Sequence, residues 1–283
     1  MEYVHTSNVD QFTFGILELT VTGGSDAPPG KYPYQAYIQD STGFLCGASI
    51  IHERYLLTAA QCLKYARPKS ISVVVGSTNR TANDGETHLV DKIYIHPEYH
   101  QTGQPFYVYS VNDIALLRLE KNLTFNESVK PVKLPSASDR IADNSSVVLT
   151  GFGSIRDAYD PSKILQQLEL KVLNQSACRL IWLVGKLVGI EETMLCTAGV
   201  PGKGACYGDA GSPLVSDEVQ VGITSFGLHC GRGFPDIFTR VSSFVDWINE
   251  TLNSDNGPTM HSIDHENNSY TKSEHAVVLI THQ

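Results

Sequence analysis

The sequence predicts an all-β protein with one helix near its carboxyl end. Short runs rich in Val, Ile, Leu and Tyr recur about every ten residues, and turn-forming residues separate them. This spacing is typical of a β-barrel or a β-sandwich, because βαβ units would need helical stretches between the strands. The predicted strands cover residues 35–39, 48–51, 55–58, 71–75, 88–95, 114–119, 147–151, 166–173, 213–215, 219–226 and 236–240.

The helix is predicted over residues 242–252, with Ser242 or Ser243 as its N-cap. It is the one convincing helical pattern in the sequence. Helical spacing places its apolar residues on one face, which we expect to pack against a barrel. That face consists of Phe244, Val245, Trp247 and Ile248.

Changes in composition divide the chain into three parts. Residues 1–20 contain no Lys or Arg and are predicted to be an N-terminal extension, a candidate propeptide remnant. Residues 21–252 carry the strands and the helix. Residues 253–283 begin with a polar stretch before Pro258 and are predicted to be a flexible tail. The apolar run at 276–280 is the exception, either as a β segment that adds to a sheet edge or as part of a frayed terminus.

Composition limits the partners and the compartment. The net charge of −9 disfavours nucleic acid and acidic membranes, which both require a basic surface. No run approaches the roughly 18 apolar residues of a membrane span. Six cysteines without a Cys-x-x-Cys pair indicate disulfides, an oxidising compartment and no metal site. We therefore expect a secreted protein without a cofactor, although residues 1–20 lack the pattern of a signal peptide.

Potential N-glycosylation sites support secretion, although each tripeptide is weak evidence alone. The acceptor residues are Asn79, Asn122, Asn126, Asn144, Asn174, Asn249 and Asn267.

The loop CYGDAGSP at residues 206–213 carries the strongest chemical signal. Its glycines permit a sharp turn that presents consecutive backbone N–H groups on one side, which suits an oxyanion. Small residues around an Asp are also common in ordinary turns.

Three separated motifs extend this signal: LTAAQC at 57–62, DIALL at 113–117 and GDAGSP at 208–213. In this order they resemble the chymotrypsin-like serine proteases, which carry a His, an Asp and a Ser in these motifs. Weaker matches are GG at 23–24, HPEY at 96–99, LTGFG at 149–153 and SFG at 225–227. The resemblance covers roughly residues 21–252 and implies the two-barrel trypsin-like fold with a C-terminal helix.

The resemblance also implies the disulfide pairing, in which each bridge closes a loop worth about 3 kcal/mol. The expected pairs are Cys46 with Cys62, Cys178 with Cys196, and Cys206 with Cys230.

Two of the three triad positions depart from the family. The triad positions are Gln61, Asp113 and Ala210, so an amide replaces the imidazole and a methyl group replaces the hydroxyl. In subtilisin, loss of the Ser or the His lowers turnover by about 10⁶. We therefore expect no intact triad, and a protein that is not an enzyme. Natural decay of the site and an engineered Ser to Ala change are the two explanations.

Rescue by other residues is not expected. Ser212 lies two positions beyond Ala210, where the turn would direct its side chain elsewhere. The scattered histidines are expected to be solvated or to pack against neighbours. They include His52, His96, His100 and His229.

The resemblance implies an activation pair formed by the freed amine of Val21 and the carboxylate of Asp209. Thr20 precedes Val21, and the preceding residues offer no basic cleavage site. We therefore expect Asp209 to lack this partner.

The resemblance further implies a substrate pocket. Asp236 could attract a basic side chain there, or be an ordinary turn residue after Pro235. The pocket positions are Gly204 and Asp236 at the base, Ser225, Phe226 and Gly227 along one wall, and the N–H groups of Gly208 and Ala210.

Three functions follow from these observations. The first is a secreted, glycosylated serine protease homologue that binds or regulates proteins in an extracellular proteolytic pathway. Its partner would be a protein or a peptide, such as a protease or an inhibitor of a cascade. The second is an active serine endopeptidase. The third is a structural module that binds through its surface alone.

Overall fold

A computed structural model describes residues 22–82, 84–104, 107–155, 159–185, 189–228 and 230–255. The predictions for the N-terminal extension, Val21, His229 and the run at 276–280 lie outside these residues.

The first half of the chain forms a closed six-stranded barrel with the strand order β2-β3-β4-β9-β6-β5. All neighbours are antiparallel. Alternating small and branched side chains from these strands fill its core, including Ile38, Ile50 and Val73. The strands are β2 (Gln35–Asp40), β3 (Gly43–His52), β4 (Tyr55–Thr58), β5 (Ile71–Val75), β6 (Glu86–Ile95) and β9 (Ala115–Leu119).

The second half forms a seven-stranded antiparallel sheet with the order β1-β11-β10-β13-β14-β15-β12. A bridge between Val172 and Thr197 joins the ends of its β11 and β12 strands, which curls the sheet towards a second barrel. The strands are β1 (Ser25–Asp26), β10 (Ser146–Gly151), β11 (Gln166–Lys171), β12 (Met194–Cys196), β13 (Pro213–Ser216), β14 (Val219–Phe226) and β15 (Ile237–Arg240). The predicted all-β, two-barrel class is confirmed.

The C-terminal helix differs from its prediction at its start. Residues Val241–Phe244 form a 3-10 turn, and the α-helix α2 runs from Val245 to Asp255. Val241 and Phe244 are both buried, and their spacing of three residues matches the 3-10 repeat. The prediction of Ser242 or Ser243 as the α-helical N-cap is therefore wrong.

Several elements were not predicted, among them the short strands β1 and β12. A helix, α1, spans Gln175–Val184 and begins at Asn174, whose side chain accepts hydrogen bonds from the N–H groups of Ser176 and Ala177. A hairpin joins β7 (His100–Gln104) to β8 (Tyr107–Val111). The expectation of a single helix is wrong: the apolar residues of α1 recur at helical spacing, a signal that the sequence analysis did not use.

The three disulfides pair as the resemblance implied: Cys46 with Cys62, Cys178 with Cys196, and Cys206 with Cys230.

A shared apolar cluster joins the two halves. Leu57 and Leu116 from the first barrel meet Ile223 of β14 and Ile248 of α2, and all four are fully buried. Gln61 follows Leu57 closely in the chain, and Asp113 lies shortly before Leu116. The cluster therefore holds both triad positions of the first barrel against the second half.

Replacing Leu116 tests this role. Leu116→Ala leaves a cavity in the fully buried cluster, and we expect it to lower the free energy of unfolding by about 2–5 kcal/mol. The matched control is Leu89→Ala on β6, where Leu89 is 57% exposed and the expected change is below about 0.5 kcal/mol. Urea denaturation measures both. Equal effects of the two substitutions would contradict the role of the cluster.

Candidate functional site

Gln61 and Asp113 are in direct contact in the cleft between the two halves. The Gln61 backbone N–H donates to Oδ1 of Asp113 over 2.8 Å, and its side-chain Nε2 donates to Oδ2 over 2.7 Å. The same Nε2 donates to the backbone oxygen of Ser225 over 2.7 Å. A 3-10 turn after β4, Ala60–Cys62, presents Gln61, and the Cys46–Cys62 disulfide anchors that turn.

Asp113 is a buried carboxylate that both halves of the protein hold. Its side chain is 1% exposed, and Ser225 Oγ donates to its Oδ2 over 2.6 Å. Its backbone oxygen accepts a hydrogen bond from Thr239 Oγ1. Burial raises the pKa of Asp113, and the hydrogen bonds from Ser225 and Gln61 act in the opposite direction. The resulting cluster links residues that lie more than a hundred positions apart.

Ala210 lies on the same side of the cleft and lines its pocket together with Gln61. Its backbone oxygen accepts the N–H of Gly47 over 2.9 Å, which fixes the loop against the first barrel. The next residue must be glycine: Gly211 has φ +81°, and a Cβ there would lie 2.2 Å from Thr58 Oγ1. The structure therefore brings Gln61, Asp113 and Ala210 together in the predicted arrangement.

The other candidate groups lie away from the cleft. Ser212 is fully buried beneath the loop, and its Oγ has no hydrogen-bond partner among the described residues. Gly47 and Gly151 leave room for it, since a Cβ on either would contact this hydroxyl. His96 packs against Phe244 and Trp247, and burial lowers its pKa.

His52 contacts Tyr55, and His100 is hydrogen-bonded to the backbone oxygen of Glu98. None of the described histidines lines the pocket.

Asp209 is a second buried carboxylate. Its Oδ1 accepts the N–H of Gly153 over 2.8 Å, and its Oδ2 accepts the N–H of Cys206 over 2.9 Å. A Cβ on Gly151 or on Gly153 would lie 2.3 Å from this side chain, so both glycines make room for it. Burial raises the pKa of Asp209 to about 6. Its pairing with Val21 stays a prediction, because Val21 lies outside the described residues.

A pocket opens beside this loop, with a volume of about 300 Å³. The Cys206–Cys230 disulfide braces it, and Ser225, Phe226, Gly227 and Gly208 line it as predicted. Asp236 lies behind the base of this pocket, where its Oδ2 accepts the N–H of the lining residue Ala205 over 2.8 Å.

Asp236 depends on two neighbouring glycines. A Cβ on Gly204 would lie 2.7 Å from Oδ2, and a Cβ on Gly227 would lie 2.7 Å from Oδ1. Burial, with a smaller contribution from the negative charge of Asp209, raises the pKa of Asp236 to about 7. Gly204 and Asp236, the two residues expected at the base, do not line the pocket themselves, and Asp236 is connected to it through Ala205.

Sequence reasoning missed four lining residues, of which Ala205 is the one that donates to Asp236. Val108 reaches the pocket from the β7–β8 hairpin and is 62% exposed. Tyr207 lines it directly before Gly208, and its ring contacts that of Tyr159. Thr224 lies on β14 beside Ser225. The hairpin carries no sequence signal of its own, although Tyr207 could have been identified from its place in the loop.

Neither α1 nor α2 is long and apolar enough to cross a bilayer, and no other helix in the described part of the chain is. The described residues also contain no group of three metal-binding side chains.

Comparisons with known proteins agree with this geometry. The profile of the family described as Trypsin matches residues 21–248. The chain is 39% identical over 228 residues to chymotrypsin-2 of Vespa crabro, covering 81% of this chain and 98% of the relative. It is 35% identical over 244 residues to trypsin-1 of Astacus astacus, with the same two coverages. Among solved structures, mouse brain neuropsin, a serine protease, matches with a TM-score of 0.72 and 28% identity, over 81% of this chain and 98% of neuropsin.

These comparisons correct one expectation. The sequence analysis expected a protein that is not an enzyme, but the matching relatives are named chymotrypsin and trypsin, and the matching structure is that of a serine protease. The expectation of a non-enzyme is therefore wrong by this comparison. With its two-barrel architecture, its three disulfides and the match over residues 21–248, the chain belongs to the trypsin family of serine proteases.

Proposed function

We propose that this trypsin-family protein is secreted and binds polypeptide segments in its cleft, with a basic side chain of the ligand entering the pocket above Asp236. The observation that carries the proposal is a buried carboxylate directly behind Ala205, which lines a pocket of about 300 Å³. This volume is at the lower end of ligand pockets and fits one long side chain.

The pocket walls suit the stem of Lys or Arg. Ala205, the Cys206–Cys230 disulfide and Phe226 offer apolar surface along the sides. A basic side chain can bury its methylene groups against such surface and place its charged end near an acid. The ligand backbone would then run along residues 225–227, as an added strand beside β14.

The carboxylate of Asp236 fits its position only because neighbouring residues lack side chains, and it has few hydrogen-bond donors. Both flanking positions, Gly204 and Gly227, must lack a side chain for its carboxylate to fit. A buried carboxylate is costly unless it is paired or well hydrogen-bonded, and only one donor, the Ala205 N–H, is identified among the described residues. An incoming ammonium or guanidinium group would supply the missing partner.

Secretion and glycosylation rest on two observations, and the net charge bears on the partners. Three disulfides indicate an oxidising compartment. The sequence contains seven N-glycosylation tripeptides. The net charge of −9 favours partners with exposed basic loops, such as protease or inhibitor segments in an extracellular proteolytic pathway.

A second candidate function is hydrolysis of the bound peptide. Membership of the trypsin family and the names of the relatives favour it. Incubating the natural chain with Lys- and Arg-containing peptides and following them by mass spectrometry tests it. Cleaved products would support hydrolysis, and intact peptides that stay bound would support binding alone.

Peptide binding should depend on the charge of Asp236. The carboxyl group is ionised above its pKa of about 7 and neutral below it. We therefore expect the preference for a Lys peptide over the matched norleucine peptide to rise as the pH increases from 6 to 8. Asp236→Asn should abolish both the preference and its pH dependence, with about 30-fold weaker binding of the Lys peptide at pH 8.

The matched control is Asp217→Asn, which makes the same chemical change at a turn outside the pocket and should leave binding unchanged. Fluorescence titration measures all three proteins at both pH values. A Lys preference that survives in Asp236→Asn would contradict the proposed role.

The pair of Val21 and Asp209 can be tested by supplying a cleavage site. We consider the variant Thr20→Lys/Gln61→His/Ala210→Ser, which adds the imidazole and the hydroxyl of the family mechanism. Cleavage with a Lys-specific protease frees the Val21 amine, which should pair with the buried Asp209 and order the loop.

We expect peptide hydrolysis to increase by about 100-fold on cleavage, since a single oxyanion-hole donor is worth about that much. The control is Gln61→His/Ala210→Ser with Thr20 retained, treated in the same way. Equal rates for the cut variant and the control would mean that the amine has no such role.

A further inference from the structure

Helix α1 presents an apolar face to solvent. Four large side chains on it are exposed: Leu180 by 61%, Ile181 by 39%, Leu183 by 69% and Val184 by 73%. Their spacings of three and four residues place them side by side. The opposite face, with Cys178 and Trp182, is buried. We call the exposed set the outer face of α1; it consists of Leu180, Ile181, Leu183 and Val184.

The size of the outer face limits what can cover it. Four partly exposed side chains offer on the order of 300 Å² of apolar surface. A stable interface between two proteins needs about 800 Å² from each partner. The outer face is therefore too small for a dimer of this chain and suits a short peptide segment.

The chain contains such a segment beyond α2. Residues 276–280 read AVVLI, an uncharged run without proline inside an otherwise polar stretch. Five extended residues span about 17 Å, and the ten-residue helix α1 is about 15 Å long. The two surfaces therefore match in length and in polarity.

The connecting chain is long enough for contact. Twenty residues separate Asp255, the last residue of α2, from Ala276. A chain of that length spans at most about 66 Å. A domain of this size is about 45 Å across, so the run can reach any part of its surface. Tethering also gives the run an effective concentration of about 1 mM, so modest affinity suffices.

We infer that residues 276–280 pack against the outer face of α1 in the same chain. The segment shields the exposed apolar side chains of the helix and ties the carboxyl tail to the second half of the protein. This contact is independent of the function of the cleft.

Photo-crosslinking in the full chain tests the contact. With p-benzoylphenylalanine in place of Leu183, we expect crosslinks within one chain to peptides that contain residues 276–280, mapped by mass spectrometry. The matched probe replaces Leu89, which is similarly exposed at 57% on β6, and should give at least tenfold less of this product.

A second variant keeps the test decisive. Val277→Asp/Val278→Asp charges both sides of the run and should reduce the Leu183 crosslink at least tenfold. The control Thr281→Asp/His282→Asp adds the same charges just outside the run and should reduce it less. Crosslinks to a second copy of the chain, no crosslink to the tail, or equal yields from the two variants would overturn the inference.

Discussion

Three carboxylates are buried around the cleft, and its architecture depends on holding them there. Asp113, Asp209 and Asp236 are each at most 8% exposed, and none of them forms an ion pair with a Lys or Arg in the described part of the chain. A desolvated carboxylate is expensive unless donors surround it. Asp113 accepts from a backbone N–H, an amide and a hydroxyl, Asp209 accepts from two backbone N–H groups, and Asp236 accepts from one.

This constraint explains the local sequence of the cleft. Asp209 requires glycine at 151 and 153, and Asp236 requires glycine at 204 and 227, because any Cβ there would overlap a carboxylate oxygen. Further buried hydrogen bonds hold the halves in register. Ser49 Oγ donates to Gln220 Oε1 over 2.6 Å, and Thr150 Oγ1 donates to Gln35 Oε1 over 2.7 Å. Polar groups that are satisfied only in one arrangement favour a single docking geometry.

Much of the fold could be predicted from the sequence, because strand periodicity, turn residues and motif order are local signals. The cysteine pairs and the positions of Gln61, Asp113 and Ala210 followed from the resemblance. Helix α1 was missed although its apolar residues have helical spacing, because the run is only ten residues long. The fit of Asp236 between two glycines could not be predicted either, since only the fold brings positions 204, 227 and 236 together.

The expectation of a non-enzyme gave more weight to the two replaced residues, Gln61 and Ala210, than to membership of the family, and the relatives correct it.

The central claim is that Asp236 provides an ionisable charge behind the base of a side-chain pocket. Carbon-13 NMR of the Asp side-chain carboxyl groups, assigned with Asp236→Asn, measures this directly. The account predicts that Asp236 titrates near pH 7 in the free protein and well below that value when a Lys peptide is bound, because the ligand cation stabilises the carboxylate. A titration near pH 4 that the peptide leaves unchanged would contradict it.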